Sequence, residues 1–179
     1  MENTQRQRAM KEQKMRQNLL QWIGLGRTAI LLLLAVSLLN TLLSLFKVDY
    51  HFLFSAAVPH YLNWLAGKLA VSSGVTPLKI FAVIVTLLTF ASYAACWAYS
   101  ARRRHFLKIA LLLYCVDTLL LVVFAVGCIK NPLNCLLELL VHLIGVGVLY
   151  HSHCCAQQLH RMARRKSPRP APQQPEYDE

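Results

Sequence analysis

Charge is scarce in this sequence, and long internal stretches lack it almost entirely. Only 15% of the 179 residues are charged, against roughly 25% in an average soluble domain. A soluble domain of this size buries apolar stripes on its helices and strands, so continuous apolar segments argue against such a domain. The composition instead predicts one membrane-embedded domain with two short polar tails.

The motifs of common enzyme classes are also missing. The sequence has no Gly-x-Ser-x-Gly turn, no His-Glu-x-x-His helix and no Walker-type phosphate loop, so no nucleophile or general base can be identified from a motif. No cofactor is predicted either. A formal net charge of +11 would suit a nucleic-acid-binding protein, but the basic residues cluster at the ends of apolar segments, where membrane topology accounts for them. Nucleic acid is therefore not a predicted partner.

Four segments with little or no charge are close to the ~20 residues needed to cross the hydrocarbon core of a bilayer. They are residues 28–46, 80–101, 109–129 and 133–150. The first is longer than the apolar part of a signal peptide, and no small-residue cleavage site follows it closely. The sequence thus predicts an all-α, multi-pass membrane protein, with a four-helix transmembrane bundle over 28–150, a basic N-terminal segment at 1–27 and a basic, proline-rich tail at 151–179.

Residues 47–79 mix charged and apolar side chains between the first two spans. Pro59 suits the first turn of a helix, and the Ser-Ser-Gly run at 72–74 suits its end. Leu62 and Leu65 fall on one face of that helix, away from the polar residues. This pattern predicts a short extracytoplasmic helix lying in the membrane interface, with aromatic side chains at headgroup level. A fifth span and a re-entrant segment are the alternatives.

The distribution of basic residues predicts the orientation. The N-terminal segment, the turn between the second and third spans and the C-terminal tail hold 15 of the 19 Lys and Arg residues. Because positive charge accumulates on the cytoplasmic side, both termini are predicted to be cytoplasmic, and a fifth span is disfavoured. The lipid bilayer, and the anionic headgroups that face these basic ends, are the predicted partners.

The stretch 49–61 (Asp-Tyr-His-Phe-Leu-Phe-Ser-Ala-Ala-Val-Pro-His-Tyr) follows the first span directly. It resembles a pattern in uncharacterised small multi-pass membrane proteins of Firmicutes-type bacteria. The resemblance covers about the first half of the chain. It implies a location in the bacterial plasma membrane, and it carries over no functional residue.

Two stripes of small and hydroxylated residues run along the first two spans at helical spacing. They are Ser37, Asn40, Thr41 and Ser44 in the first span, and Thr86, Thr89, Tyr93 and Cys96 in the second. Such residues commonly hold membrane helices together by close packing and hydrogen bonds. Helix packing is therefore favoured over the alternative, a polar path through the membrane.

Three ionisable residues lie inside the last two spans and form the main candidate site. They are Asp117, Glu138 and His142. Glu138 and His142 are four residues apart and share one helix face, with Glu138 one turn nearer the extracytoplasmic end. Because ionisable groups are costly in lipid, they face protein or water and mark either a functional site or a packing device.

Cys128 and Cys135 bracket the turn between the third and fourth spans on the extracytoplasmic side. A disulfide between them is a candidate, with free thiols as the alternative. Placing these two residues opposite each other also sets the register of the two helices. In that register Asp117 lies beside Gly145, where the missing side chain leaves room, and within reach of His142.

A run of soft ligands follows the fourth span: His151, His153, Cys154 and Cys155. Zinc and copper prefer such ligands, but the paired Cys-x-x-Cys spacing of a structural zinc site is missing. A metal site here is a hypothesis, and acylation of the adjacent cysteines is another.

These observations favour a non-enzymatic accessory or interaction protein, acting with a membrane-protein partner or as a homo-oligomer. The alternative is a small oligomeric transporter or proton-coupled carrier built around Asp117, Glu138 and His142. A large polar cavity would favour the carrier, whereas a dry bundle with an apolar groove would favour the interaction protein. An intramembrane enzyme is the third and least favoured hypothesis.

Overall fold

The computed structural model describes residues 2–46, 48, 52, 54–73, 76–128 and 132–166. The side chains at 2–3, 68–73, 76, 125–128, 132–135 and 165–166 are outside the description. Within the described ranges five helices follow one another: α1 (Glu2–Leu45), α2 (Ala57–Ser73), α3 (Thr76–Ser100), α4 (His105–Cys128) and α5 (Pro132–Lys166). The all-α fold class is confirmed.

Among the described helices, α1, α3, α4 and α5 are long and apolar enough to cross a membrane, as predicted. Two of them extend well beyond the predicted spans. α1 already begins at Glu2 because residues 2–23 are mostly good helix formers and contain neither glycine nor proline. α5 continues past residue 150 to Lys166 and ends shortly before Pro168, which cannot continue a helix. The rest of the proline-rich tail lies outside the described residues.

α2 enters the bundle and does not lie flat across its end, which corrects the predicted interfacial helix. Asn63 on α2 donates a hydrogen bond to the Thr86 hydroxyl at 3.1 Å, and Thr86 lies roughly 15 Å along α3 from Thr76. α2 and α3 therefore form an antiparallel helical hairpin. The first residue of α2 is bound by Asp117, at the middle of α4. This is the geometry of a re-entrant half-helix.

All three basic segments lie at one end of the bundle, which we call the basic end. One cavity there is lined jointly by α1, by the turn at 101–104 and by α5, with Arg16, Arg104 and Ala163 among its residues. This placement confirms that the two terminal segments and the α3–α4 turn share a side. The ends of α2 and α5 that carry Ser73 and Pro132 lie at the opposite end.

α1 and α5 continue together past the other helices at the basic end. The Ser152 hydroxyl donates to the Trp22 carbonyl oxygen at 2.8 Å, and Gly26 packs directly against Ser152. The edge of the Trp22 ring meets His151 at a centroid distance of 4.4 Å. We call residues 2–27 and 151–166 the helix pair. Its inner part, around Gly26 and His153, still lies beside α4.

The core lies where α1, α3, α4 and α5 meet and is built from Ile30, Leu33, Tyr93, Leu107, Tyr114 and Leu149, among others. The outward faces remain strongly apolar. Leu88 on α3 is 61% exposed and Leu119 on α4 is 64% exposed. Apolar surface of this extent marks contact with lipid or with other membrane helices, because a soluble monomer does not expose it.

Candidate functional site

Asp117 is buried at the middle of α4 and holds the N-terminus of α2. Its Oδ2 accepts a hydrogen bond from the Ala57 amide at 2.8 Å, and its Oδ1 accepts one from the Val58 amide at 2.9 Å. A helix leaves its first amide groups without intrahelical partners, and Ala56 has no side chain that could cap them. The carboxylate of a distant helix therefore takes the role of the capping residue.

The segment that leads into α2 is held by two side chains of the α1 polar stripe. The Ser37 hydroxyl accepts from the Ala56 amide at 2.6 Å. The Asn40 side chain pairs with Phe52 twice, donating to its carbonyl oxygen at 2.8 Å and accepting from its amide at 2.9 Å. Non-helical backbone is stable at this depth only when protein satisfies its polar groups. The stripe thus binds a backbone segment, a role that neither hypothesis for it included.

His142 joins the same cluster from α5. Its Nδ1 lies 2.9 Å from the Glu138 carbonyl oxygen, and its Nε2 lies 3.4 Å from Asp117 Oδ2. The predicted meeting of Asp117 and His142 is confirmed. The contact lacks the geometry of a hydrogen bond. Because the Nδ1–H faces the Glu138 carbonyl oxygen, the two side chains attract each other electrostatically only when the imidazole is protonated.

The Tyr114 side chain occupies the space beside Gly145 that was predicted for Asp117. Its ring stacks on His142 at a centroid distance of 5.2 Å and an interplanar angle of 14°. A Cβ at Gly145 would lie 2.6 Å from the ring carbon Cε1. The prediction that Gly145 leaves room for Asp117 is therefore wrong, because the glycine accommodates the larger tyrosine one turn away.

Glu138 bonds the re-entrant helix at a second point. Its Oε2 accepts a hydrogen bond from the Tyr61 hydroxyl at 3.1 Å, and the Tyr61 ring stacks on Phe124 of α4 at 5.2 Å. Both predicted intramembrane carboxyl groups thus contact α2. Tyr61, Ser37 and Asn40 complete the site. The helical spacing of Ser37 and Asn40 was the one signal in the sequence that could have indicated their part in it.

Several buried polar atoms of this cluster have no hydrogen-bond partner among the described residues. They are Ser55 Oγ, Tyr93 Oη, Tyr114 Oη and His142 Nε2. An unpaired buried polar group costs about 1–3 kcal/mol, and each one in a native structure calls for an explanation. Each Asp117 oxygen accepts a hydrogen bond from the α2 backbone, and this arrangement suits the positioning of α2.

The predicted metal ligands do not converge. In the described part of the chain, no group of three or more His, Cys, Asp and Glu residues is placed to hold a metal ion. His151 meets Trp22, whereas the His153 Nε2 is 2.9 Å from the Gln157 side chain. Residues two apart on a helix point in different directions, so His151 and His153 do not face a common site, and the metal hypothesis has no support among the described residues.

A disulfide between Cys128 and Cys135 remains a prediction. Cys128 ends α4 and Cys135 lies in the first turns of α5, but both side chains are outside the described residues. Cys96, Cys115, Cys154 and Cys155 are free thiols.

Three of the cavities that the described residues form bear on function. The helix-pair cavity, about 470 Å³, lies at the basic end and has apolar walls with a charged rim. The lateral groove, about 390 Å³, lies between α1, α2 and α3 and opens among exposed leucines. The α4–α5 cavity, about 270 Å³, is strongly basic. Asp117, Glu138 and His142 line none of these three.

Asp117, Glu138 and His142, with Ser37, Asn40 and Tyr61, form what we call the central cluster. It links α1, α2, α4 and α5 through short polar contacts. Ser37 and Asn40 also line the lateral groove, whereas Asp117, Glu138 and His142 do not. Comparison with protein-family models, with curated proteins and with solved structures gives no match.

Proposed function

We propose that this chain is a non-enzymatic accessory or interaction subunit of the bacterial plasma membrane, with both termini in the cytoplasm. Support comes first from the central cluster. Both Asp117 oxygens are used by the α2 backbone, and Glu138 is used by Tyr61. The apolar lateral groove also fits the expectation for an interaction protein.

The helix pair is the observation that carries the proposal. Residues 2–27 of α1 extend roughly 39 Å beyond the first predicted span at 1.5 Å per residue, and α5 accompanies them as far as Lys166. A membrane anchor has no need of such an extension. Arg8, Lys11 and Lys14 are exposed on it, together with Met10, which is 57% exposed.

The position of these charges indicates the class of partner. Screening reduces interactions between exposed charges beyond about 8 Å at physiological ionic strength. A helix that leaves the membrane therefore carries Arg8 and Lys11 too far from the headgroups to bind them. Two copies of the same basic surface would repel each other. An acidic surface of a cytoplasmic protein is the complementary partner, with exposed methionines adding apolar contact.

Site-specific photo-crosslinking in bacterial cells tests this proposal. A crosslinking amino acid at Met10 or Met15 is expected to give one discrete adduct heavier than the chain itself. The same amino acid at Leu88, on the lipid-facing side of α3, serves as the control and should give none. The charge-reversing pair Arg8→Glu and Lys11→Glu should abolish the adduct while membrane insertion is unchanged.

Equal adducts at Met10 and Leu88 would overturn the proposal, and so would adducts that contain only lipid or a second copy of the chain. Retention of the adduct after charge reversal would overturn the acidic partner class.

A proton-coupled carrier is the second candidate, and the unpartnered buried atoms favour it. Tyr93 Oη, Tyr114 Oη and His142 Nε2 lie in one cluster with Asp117, as the groups of a proton path would. Purified protein in sealed vesicles with an internal pH dye should then conduct protons, and Asp117→Asn should stop the flux without unfolding the protein. Equal flux in Asp117→Asn and in empty vesicles would exclude the carrier.

A further inference from the structure

The α4–α5 cavity concentrates positive charge at the basic end of the bundle. It is lined by Arg104, His105 and Lys108 around the start of α4, and by His153, Gln157 and Arg161 on α5. No acidic residue is among these lining residues. At about 270 Å³ the cavity has room for one tetrahedral oxyanion and several waters, each of which occupies about 30 Å³.

The cationic side chains of the cavity are not neutralised by the protein. In the described part of the chain, Arg104, Lys108 and Arg161 have no carboxylate partner. Bringing three like charges together costs free energy that an anion between them would recover. Arg104 and Arg161 also supply the planar sets of N–H donors that suit phosphate oxygens.

His153 adds a donor that the protein leaves unused. Its Nε2 lies 2.9 Å from the Gln157 side-chain nitrogen, which can only donate, so Nε2 is the acceptor. In the neutral ring the proton is then on Nδ1. His153 Nδ1 is buried and has no hydrogen-bond partner among the described residues. An oxyanion in the cavity would provide the missing acceptor.

The start of α4 adds further positive potential. α4 begins at His105, and the N-terminus of a helix carries about half a positive elementary charge from the aligned peptide dipoles. The cavity therefore combines three features that favour an anion: the positive end of the α4 dipole, cationic side chains and an unused imidazole donor. The start of α4 and α5 both contribute to it.

We propose that the α4–α5 cavity binds a phosphate group. The cavity lies just before the third predicted span, at the level where lipid headgroups meet the protein. The neighbouring helix-pair cavity shares Arg104 and has the apolar walls Leu20, Ile23 and Leu159. The phosphate belongs either to an anionic lipid headgroup or to a soluble phosphorylated molecule. The site is independent of the crosslinked partner proposed above.

Binding to purified, delipidated full-length protein tests the site in two arms. One arm titrates inorganic phosphate and pyrophosphate by calorimetry. The other counts bound phosphatidylglycerol against phosphatidylcholine by native mass spectrometry. The site variant combines Lys108→Gln with Arg161→Gln, both at exposed positions. The control variant combines Arg8→Gln with Lys11→Gln, which removes the same charge from the distal part of the helix pair.

Charge-assisted hydrogen bonds are the strong ones, so the site variant is expected to lose about tenfold or more in affinity, and the control less than about twofold. The conservative Lys108→Arg should retain binding. If the site variant loses affinity for inorganic phosphate or pyrophosphate, the ligand is a soluble phosphorylated molecule. If it loses affinity for phosphatidylglycerol alone, the ligand is a lipid headgroup. Equal affinity of the site and control variants in both arms, or no binding in either, would overturn the proposal.

Discussion

Asp117 connects segments of the chain that are 60 residues apart, because its two oxygens accept from the Ala57 and Val58 amides. Asp117→Asn keeps one acceptor and places an N–H₂ group against an amide that needs an acceptor. We expect the free energy of unfolding to fall by about 1–3 kcal/mol, measured by denaturation in detergent. Thr118→Val is the matched control, since its buried hydroxyl bonds only the Tyr114 carbonyl oxygen of its own helix. Equal losses in the two variants would contradict the capping role.

The tyrosines of the cluster differ in the use of their hydroxyl groups. The Tyr61 hydroxyl donates to Glu138, whereas the buried Tyr93 hydroxyl has no partner among the described residues. We expect Tyr61→Phe to lower the stability to denaturant by about 1 kcal/mol, and Tyr93→Phe to leave it unchanged or raise it slightly. A loss in Tyr93→Phe as large as that in Tyr61→Phe would show that the Tyr93 hydroxyl has a partner, and would contradict this prediction.

The two glycines of α5 provide another paired test. A Cβ at Gly145 would meet the Tyr114 ring at 2.6 Å, whereas a Cβ at Gly147 meets no described atom within 4 Å. Tyr114 is fully buried against His142 and has little room to move. Gly145→Ala should therefore lower the thermal midpoint, at a cost of about 1–3 kcal/mol from overpacking. Gly147→Ala should keep or raise it, because alanine favours the helix by up to about 1 kcal/mol.

At the scale of elements, α2 is where the sequence and the structure differ most. An amphipathic helix in the interface and a re-entrant half-helix show the same pattern of apolar and polar residues. The difference lies in what satisfies the amides at the helix start. Water would do so at the interface, whereas inside the bundle an acceptor from another helix is required. Asp117 supplies that acceptor, and the sequence of α2 contains no sign of it.

The depth of Trp64 distinguishes these two placements. Trp64 is 37% exposed on α2, next to Asn63, which bonds Thr86 at roughly half the thickness of a 30 Å hydrocarbon core. With Trp22 and Trp97 changed to Phe, its fluorescence should be quenched most by lipids brominated near the ends of their acyl chains. Strongest quenching by bromine close to the headgroup would restore the interfacial helix.

At the scale of the whole molecule, the topology can be tested with reporters. The three basic segments share one end of the bundle, and the excess of Lys and Arg predicts that this end is cytoplasmic. Fusions at Arg103 and at the C-terminus should be fluorescent and lack phosphatase activity, whereas a fusion at Asn131 should show the reverse. An active phosphatase at the C-terminus would invert the orientation and would remove the support for a cytoplasmic partner.

The sequence by itself determined the class, the four spans and the grouping of the basic segments. These properties follow from bilayer thickness and from the cost of charge in lipid, which act on each segment separately. The helical spacing of Glu138 and His142, with one assumed register, was also enough to bring His142 to Asp117, because two antiparallel helices joined by a short turn leave few registers to choose from.

Only the tertiary structure decided what those residues do. The amides at and just before the start of α2 donate to side chains of α1 and α4, and which distant side chain reaches them depends on how all the helices pack together. Helix packing also decides which side chain fills the space at Gly145, where Tyr114 lies in place of Asp117. In the helix pair, helix propensity allows α1 to begin at Glu2, but only contact with α5 fixes the direction of this part of α1. Hydrophobicity and helix propensity act on each segment separately and can be predicted from the sequence. Contacts between distant segments cannot, because several alternative pairings have similar local free energies.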